Sequence, residues 1–152
     1  MFTNILLAVD GSGASLQAAR QGMALAGTLK AKVTVVVVTV PWATYFAREL
    51  AVVVPDILIP EVEYERKRDA KAAQILRDVE ADAHNAGVAM KKVHRSHRDP
   101  YRAILEVAEH ERCDLIVMAP HHERGFAGFL LGSETMKVLT HTSIPVLVYR
   151  QV

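Results

Sequence analysis

Cysteine is nearly missing from this sequence: Cys113 stands alone, so no disulfide can close within the chain. That scarcity agrees with a reducing compartment, and Cys113 is expected to be a small buried residue just ahead of a strand rather than a reactive thiol. Charge imbalance is missing too. The formal net charge is +1 over 152 residues with acids and bases intermixed, which excludes the electrostatic footprint of a nucleic-acid binder. No apolar run approaches the ~20 residues that a membrane helix needs. The opening "MFTNILLAVDGS" has no basic leader and its apolar stretch stops at Asp10, so it does not read as a signal peptide. A single domain over residues 1–152, located in the cytoplasm and without a membrane or nucleic-acid partner, is the expectation.

Several catalytic and nucleotide signatures are also absent. A dinucleotide fingerprint needs a third glycine where Leu16 stands and an acid closing the second strand, where Thr39 and Val40 stand. A Walker A loop needs a lysine that "GSE" lacks, and a phosphoacceptor receiver needs a second acid beside Asp10. No Ser/His/Asp, Cys/His or paired-carboxylate set is readable, so catalytic turnover is not expected. The seven histidines show no ligand spacing, since the adjacent His121 and His122 make a poor pair of metal ligands, and no metal site is expected.

What is present is a regular alternation. The runs "ILLAV" (5–9), "VTVVVVTV" (33–40), "LIVMA" (115–119) and "IPVLVY" (144–149) are apolar on both faces, as strands buried in a parallel sheet are. The mixed, charged segment 88–96 predicts an edge strand. Between the strands, residues 14–29, 61–86, 101–111 and 133–141 carry helical spacing, with Ser133 as the expected N-cap of the last. This order predicts an α/β, doubly wound parallel sheet with helices on both faces. Residues 41–60 carry three prolines and much of the aromatic content, and read as an insertion.

Ligands of such sheets bind beyond the carboxyl ends of the strands, where the strand order reverses. Asp10, Gly11 and Ser12 follow the first strand, and their two readings are a ligand contact by the carboxylate or a plain turn with a helix cap. After the fourth strand comes "APHHERGFAGFLLGSE" (119–134). Its Gly132 and Ser133 open a helix whose N–H groups suit an anion, and Gly125 and Gly128 leave the preceding loop free to fold over a ligand.

Taken together, "NILLAVDGS", "VVVVTV" and "DLIVMAPHHERGFAGFLLGSETMKVLTHTSIPVLVYR" resemble the universal stress protein family over essentially the full chain. The resemblance implies a five-stranded parallel sheet in the order 3-2-1-4-5 and a homodimer through strand 5 (residues 144–149). An apolar edge strand needs a partner, so Val146 and Val148 are expected near the two-fold axis. It also implies an adenine-nucleotide site, for ATP or AMP with or without Mg2+, in one branch of the family and no such site in another. The nucleotide-binding branch has Gly-x2-Gly-x9-Gly-Ser/Thr after strand 4. On this chain the final Gly-Ser falls on Gly132 and Ser133, while the first two glycines fall on Ala119 and His122. The ribose contact falls on Asp10 and the adenine backbone contact on Val38, whereas the His121-His122 pair resembles the branch without ATP. The expected function is a regulatory stress-response homodimer binding ATP or AMP. The alternative is a dimeric protein-interaction module of the same fold that binds no nucleotide.

Overall fold

The computed structural model describes residues 1–49, 60–120 and 131–151. Its elements in chain order are β1 (Asn4–Ala8), α1 (Gly13–Leu29), β2 (Lys32–Thr39), α2 (Trp42–Glu49), α3 (Glu61–Ala86), β3 (Met90–Ser96), α4 (Pro100–His110), β4 (Leu115–Met118), α5 (Ser133–His141) and β5 (Val146–Val148). The strands form one sheet in the order β3-β2-β1-β4-β5, every pairing parallel, with Leu6 opposite both Thr34 and Ile116. The doubly wound architecture and strand order are those expected, and the charged β3 does lie at an edge.

The apolar runs are continuous because both faces of the sheet are covered. On one face Ile5, Leu7, Val35 and Val117 pack against Met23 of α1 and Ile75, Leu76 and Val79 of α3. On the other, Leu6, Val36, Ile116 and Met118 pack against Ile104 and Val107 of α4 and Val138 of α5. Ile5, Leu6 and Leu7 are fully buried, which stabilises the fold by about 1.5–3 kcal/mol for each side chain. Cys113 is buried in the second cluster as expected, and burial raises its thiol pKa.

Three local expectations are corrected. Residues 42–49 of the expected insertion form α2, whose Tyr45 ring stacks on Tyr64 of α3 at 5.1 Å. The N-cap of α5 is Gly132, not Ser133. Gly132 holds the extended φ −54°, ψ 155° of a cap while Ser133 already has a place in the helix, and Met136 N donates to Gly132 O at 3.0 Å. Strand β5 is also shorter than the apolar run 144–149, although Ile116 N still donates to Pro145 O and Tyr149 N to Met118 O, both at 2.9 Å. Among the described residues no helix is long and apolar enough to cross a membrane.

Candidate functional site

From β1 the chain passes to β2 and β3 on one side and later to β4 and β5 on the other, so the order reverses between β1 and β4. At their carboxyl ends lies a cleft of about 280 Å3. Its floor is apolar, built from Ala8, Val36, Val38 and Met118, and Ile104 of α4 forms one wall.

Asp10 and Ser12 stand at its rim. The turn that carries them is closed by its own hydrogen bonds: Ser12 N donates to Asp10 Oδ1 at 2.8 Å, and Ser15 N donates to Ser12 Oγ at 3.2 Å, making Ser12 the N-cap of α1. The hydroxyl of buried Ser15 completes it, donating to Ser12 O at 3.0 Å and accepting from Asp10 N at 3.3 Å. Gly11 has φ +85°, and a Cβ there would lie 2.7 Å from Ile75 Cδ1, so this position needs glycine for the turn itself. Gly11 and Ser12 thus carry the turn-and-cap reading. Asp10 uses one oxygen for the turn and is exposed beside the cleft.

Val38 lines the floor where β2 ends, and Ala119 lines it just beyond β4. Ala119 is buried, and its carbonyl accepts from the hydroxyl of Thr135 at 3.3 Å, which holds the start of α5 against the end of β4. Gly132 and Ser133 precede Thr135 at that same helix start, with no side chain capping the helix. His121, His122, Gly125 and Gly128 lie outside the described residues.

Sequence reasoning missed Glu134, Thr135 and the wall from α4. Glu134 Oε2 accepts from Tyr101 N at 2.9 Å, and Oε1 accepts from Lys137 Nζ at 3.1 Å. An acid in the first turn of a helix is a recognisable signal, but its partner 33 residues away is not. Asp10, Val38 and Val40 also border a second cleft, of about 380 Å3, on the α3 side. There Tyr64 Oη donates to Val40 O at 3.0 Å, burial raises the Tyr64 pKa, and the Arg68 guanidinium lies 5.9 Å from the ring centre.

His94 and His97 have structural partners. His94 Nε2 is 2.8 Å from Thr39 Oγ1, with burial lowering its pKa, and His97 Nδ1 accepts from Asp99 N at 2.9 Å. Among the described residues no three His, Cys, Asp or Glu side chains gather as metal ligands.

The sequence profile of the universal stress protein family matches residues 1–150. A universal stress protein named for the 3' region of the QAH/OAS sulfhydrylase gene of Thermus aquaticus is 34% identical over 151 residues, covering 99% of this chain and 100% of that protein. Universal stress protein YxiE of Bacillus subtilis is 29% identical over 156 residues, covering 99% and 100%. Among solved structures, hypothetical protein MJ0577 superposes with a TM-score of 0.80 at 25% identity, covering 100% of this chain and 98% of that one. A universal stress protein solved in complex with cAMP superposes at 0.72 and 21% identity, covering 99% of each chain, a likeness of fold. The chain belongs to the universal stress protein family.

Proposed function

We propose that this chain is a cytoplasmic single-domain regulator over residues 1–152 that binds an adenine nucleotide, AMP or ATP, in the cleft between β1 and β4 and acts by binding rather than by turnover. The observation that carries this reading is the cleft itself: an apolar slot at the reversal of strand order, with a carboxylate at one rim and a helix start at the other. The base lies on Val38, the ribose hydroxyls donate to Asp10, and the phosphate meets the backbone of Gly132 and Ser133, where the helix dipole of α5 favours an anion. The fold neighbour solved with cAMP supports an adenine ligand.

Calorimetry with AMP and ATP, with and without Mg2+, tests the reading, together with chromatography of any nucleotide released on denaturation. Asp10→Ala is expected to weaken binding by roughly tenfold, the loss of one or two charge-assisted hydrogen bonds. Absence of heat and of copurified nucleotide overturns it. The interaction-module reading is favoured by one observation, the apolar side chains of Met136, Leu139 and Leu147, which are 44%, 36% and 43% exposed. Both readings include a homodimer through β5.

A further inference from the structure

We propose that Glu134 makes the cleft select adenine ligands of low phosphate charge, the nucleoside, the cyclic monophosphate and the monophosphate, over free ATP. The proposal rests on the nucleotide reading and goes beyond it by assigning the selectivity to one residue.

Charge supplies the first step. The described side chains lining the cleft include two carboxylates, Asp10 and Glu134, and no lysine, arginine or histidine. A phosphate that enters brings further negative charge into a largely apolar slot, where like charges repel more strongly than in water. A triphosphate brings the most.

The second step is occupancy of donors. Helix N-termini favour anions through free N–H groups, and at two of those facing this cleft a donor is already taken. Ser12 Oγ takes Ser15 N at the start of α1. At α4 the first residue is Pro100, which has no N–H, and the next donor, Tyr101 N, goes to Glu134 Oε2 at 2.9 Å. Asp99, the N-cap of α4, makes no side-chain capping bond. The carboxylate of Glu134 therefore occupies the place that a second phosphate oxygen would need. Lys137 Nζ lies 3.1 Å from Oε1, with the lysine side chain 46% and the glutamate 24% exposed, so the ammonium on the solvent side offsets part of the charge of Glu134. Among the described helix starts at the cleft, that of α5 carries no side-chain cap and is the place for a single phosphate group.

The test is calorimetry of adenosine, cyclic AMP, AMP, ATP in EDTA and ATP with Mg2+ against the natural chain and Glu134→Gln. The amide oxygen of Gln still accepts from Tyr101 N, so this change removes charge and keeps the cap. In the natural chain cyclic AMP and AMP are expected to bind more tightly than ATP in EDTA, and Mg2+ or added salt is expected to narrow that gap. Glu134→Gln is expected to raise ATP affinity relative to adenosine by roughly tenfold, the effect of removing one nearby like charge. ATP binding to the natural chain as tightly as AMP, or a variant that shifts all five ligands by the same factor, overturns the selectivity and leaves the nucleotide reading intact. If no adenine compound binds either protein, the nucleotide reading falls and the selectivity with it.

Discussion

Glu134 of α5 caps α4: its Oε2 accepts from the backbone N–H of Tyr101 at 2.9 Å, while its neighbour Thr135 donates to Ala119 O at 3.3 Å. One turn of α5 thereby ties together the start of α4 and the end of β4, two of the borders of the cleft. Glu134→Ala should destabilise the protein by about 0.5–2 kcal/mol, the range for loss of an N-cap, whereas Glu134→Gln should retain most of that stability. Urea titration of both variants checks this, and hydrogen exchange should locate the loosening in the first turn of α4. Equal stability of the two variants would mean that the capping bond contributes nothing.

Gly22 of α1 presents a different constraint. A Cβ at this position would sit 2.5 Å from Leu7 Cδ2 and 3.3 Å from Val117 Cγ1, both in fully packed surroundings. Replacing a mid-helix glycine by alanine gains up to about 1 kcal/mol in helix propensity, while overpacking a core costs about 1–3 kcal/mol. The packing term is the larger here because Leu7 is 0% exposed and has nowhere to retreat. Gly22→Ala is expected to lower stability by about 1 kcal/mol, seen as a shift of the denaturation midpoint without a change in slope. A gain in stability would show that Leu7 repacks freely.

Such pairings mark what the sequence could and could not disclose. Strands β1, β2 and β4 were legible because residues such as Ile5, Leu6 and Leu7 are apolar in succession, which only a sheet covered on both faces requires. Helix α2 was not legible, because its aromatic residues sit beside prolines and its register depends on Tyr45 reaching Tyr64 across the chain. Within the cleft, Asp10 follows from its place at the carboxyl end of β1, whereas Val38 and Ala119 are reached through the family motif laid on the chain. The roles of Glu134 and Thr135 depend on contacts 33 and 16 residues away, and no local pattern encodes a distance of that kind.

Asp114 ties the chain start to the turn before β4, accepting from Thr3 N and Thr3 Oγ1 at 2.8 Å each and from Asn4 N at 3.1 Å. Burial acts to raise its pKa, but these hydrogen bonds outweigh it and hold the carboxyl below its ordinary value. A depressed folded pKa means that the unfolded chain binds the proton first, so the stabilisation is full above the unfolded value of about 3.9 and is lost as pH falls through the folded value. Asp114→Ala should cost about 1–2 kcal/mol at neutral pH, since the site is partly open to solvent. The difference between variant and parent should shrink as pH falls through the depressed folded pKa. Thermal melts across pH 2–7 check this, and a difference that stays constant with pH would exclude the ionised carboxylate as the source.

Strand β5 lies at a sheet edge, and its side chains are not equivalent. Val146 packs against the cluster formed with α4 and α5, whereas Leu147 is 43% exposed on the opposite face. An exposed apolar residue on an edge strand is a liability unless a partner covers it, and a second copy related by a two-fold axis covers it symmetrically. A charge at Val146 would damage the fold as well as an interface, so loss of assembly in Val146→Asp would be ambiguous. Leu147→Asp separates the two effects. It should leave the melting temperature of the protomer nearly unchanged, because a surface substitution is usually within about 0.5 kcal/mol, yet raise the dimer dissociation constant at least about tenfold. Light scattering across micromolar concentrations, together with thermal melts, measures both. A natural chain that is monomeric throughout, or a Leu147→Asp variant that stays dimeric, would remove β5 from the interface.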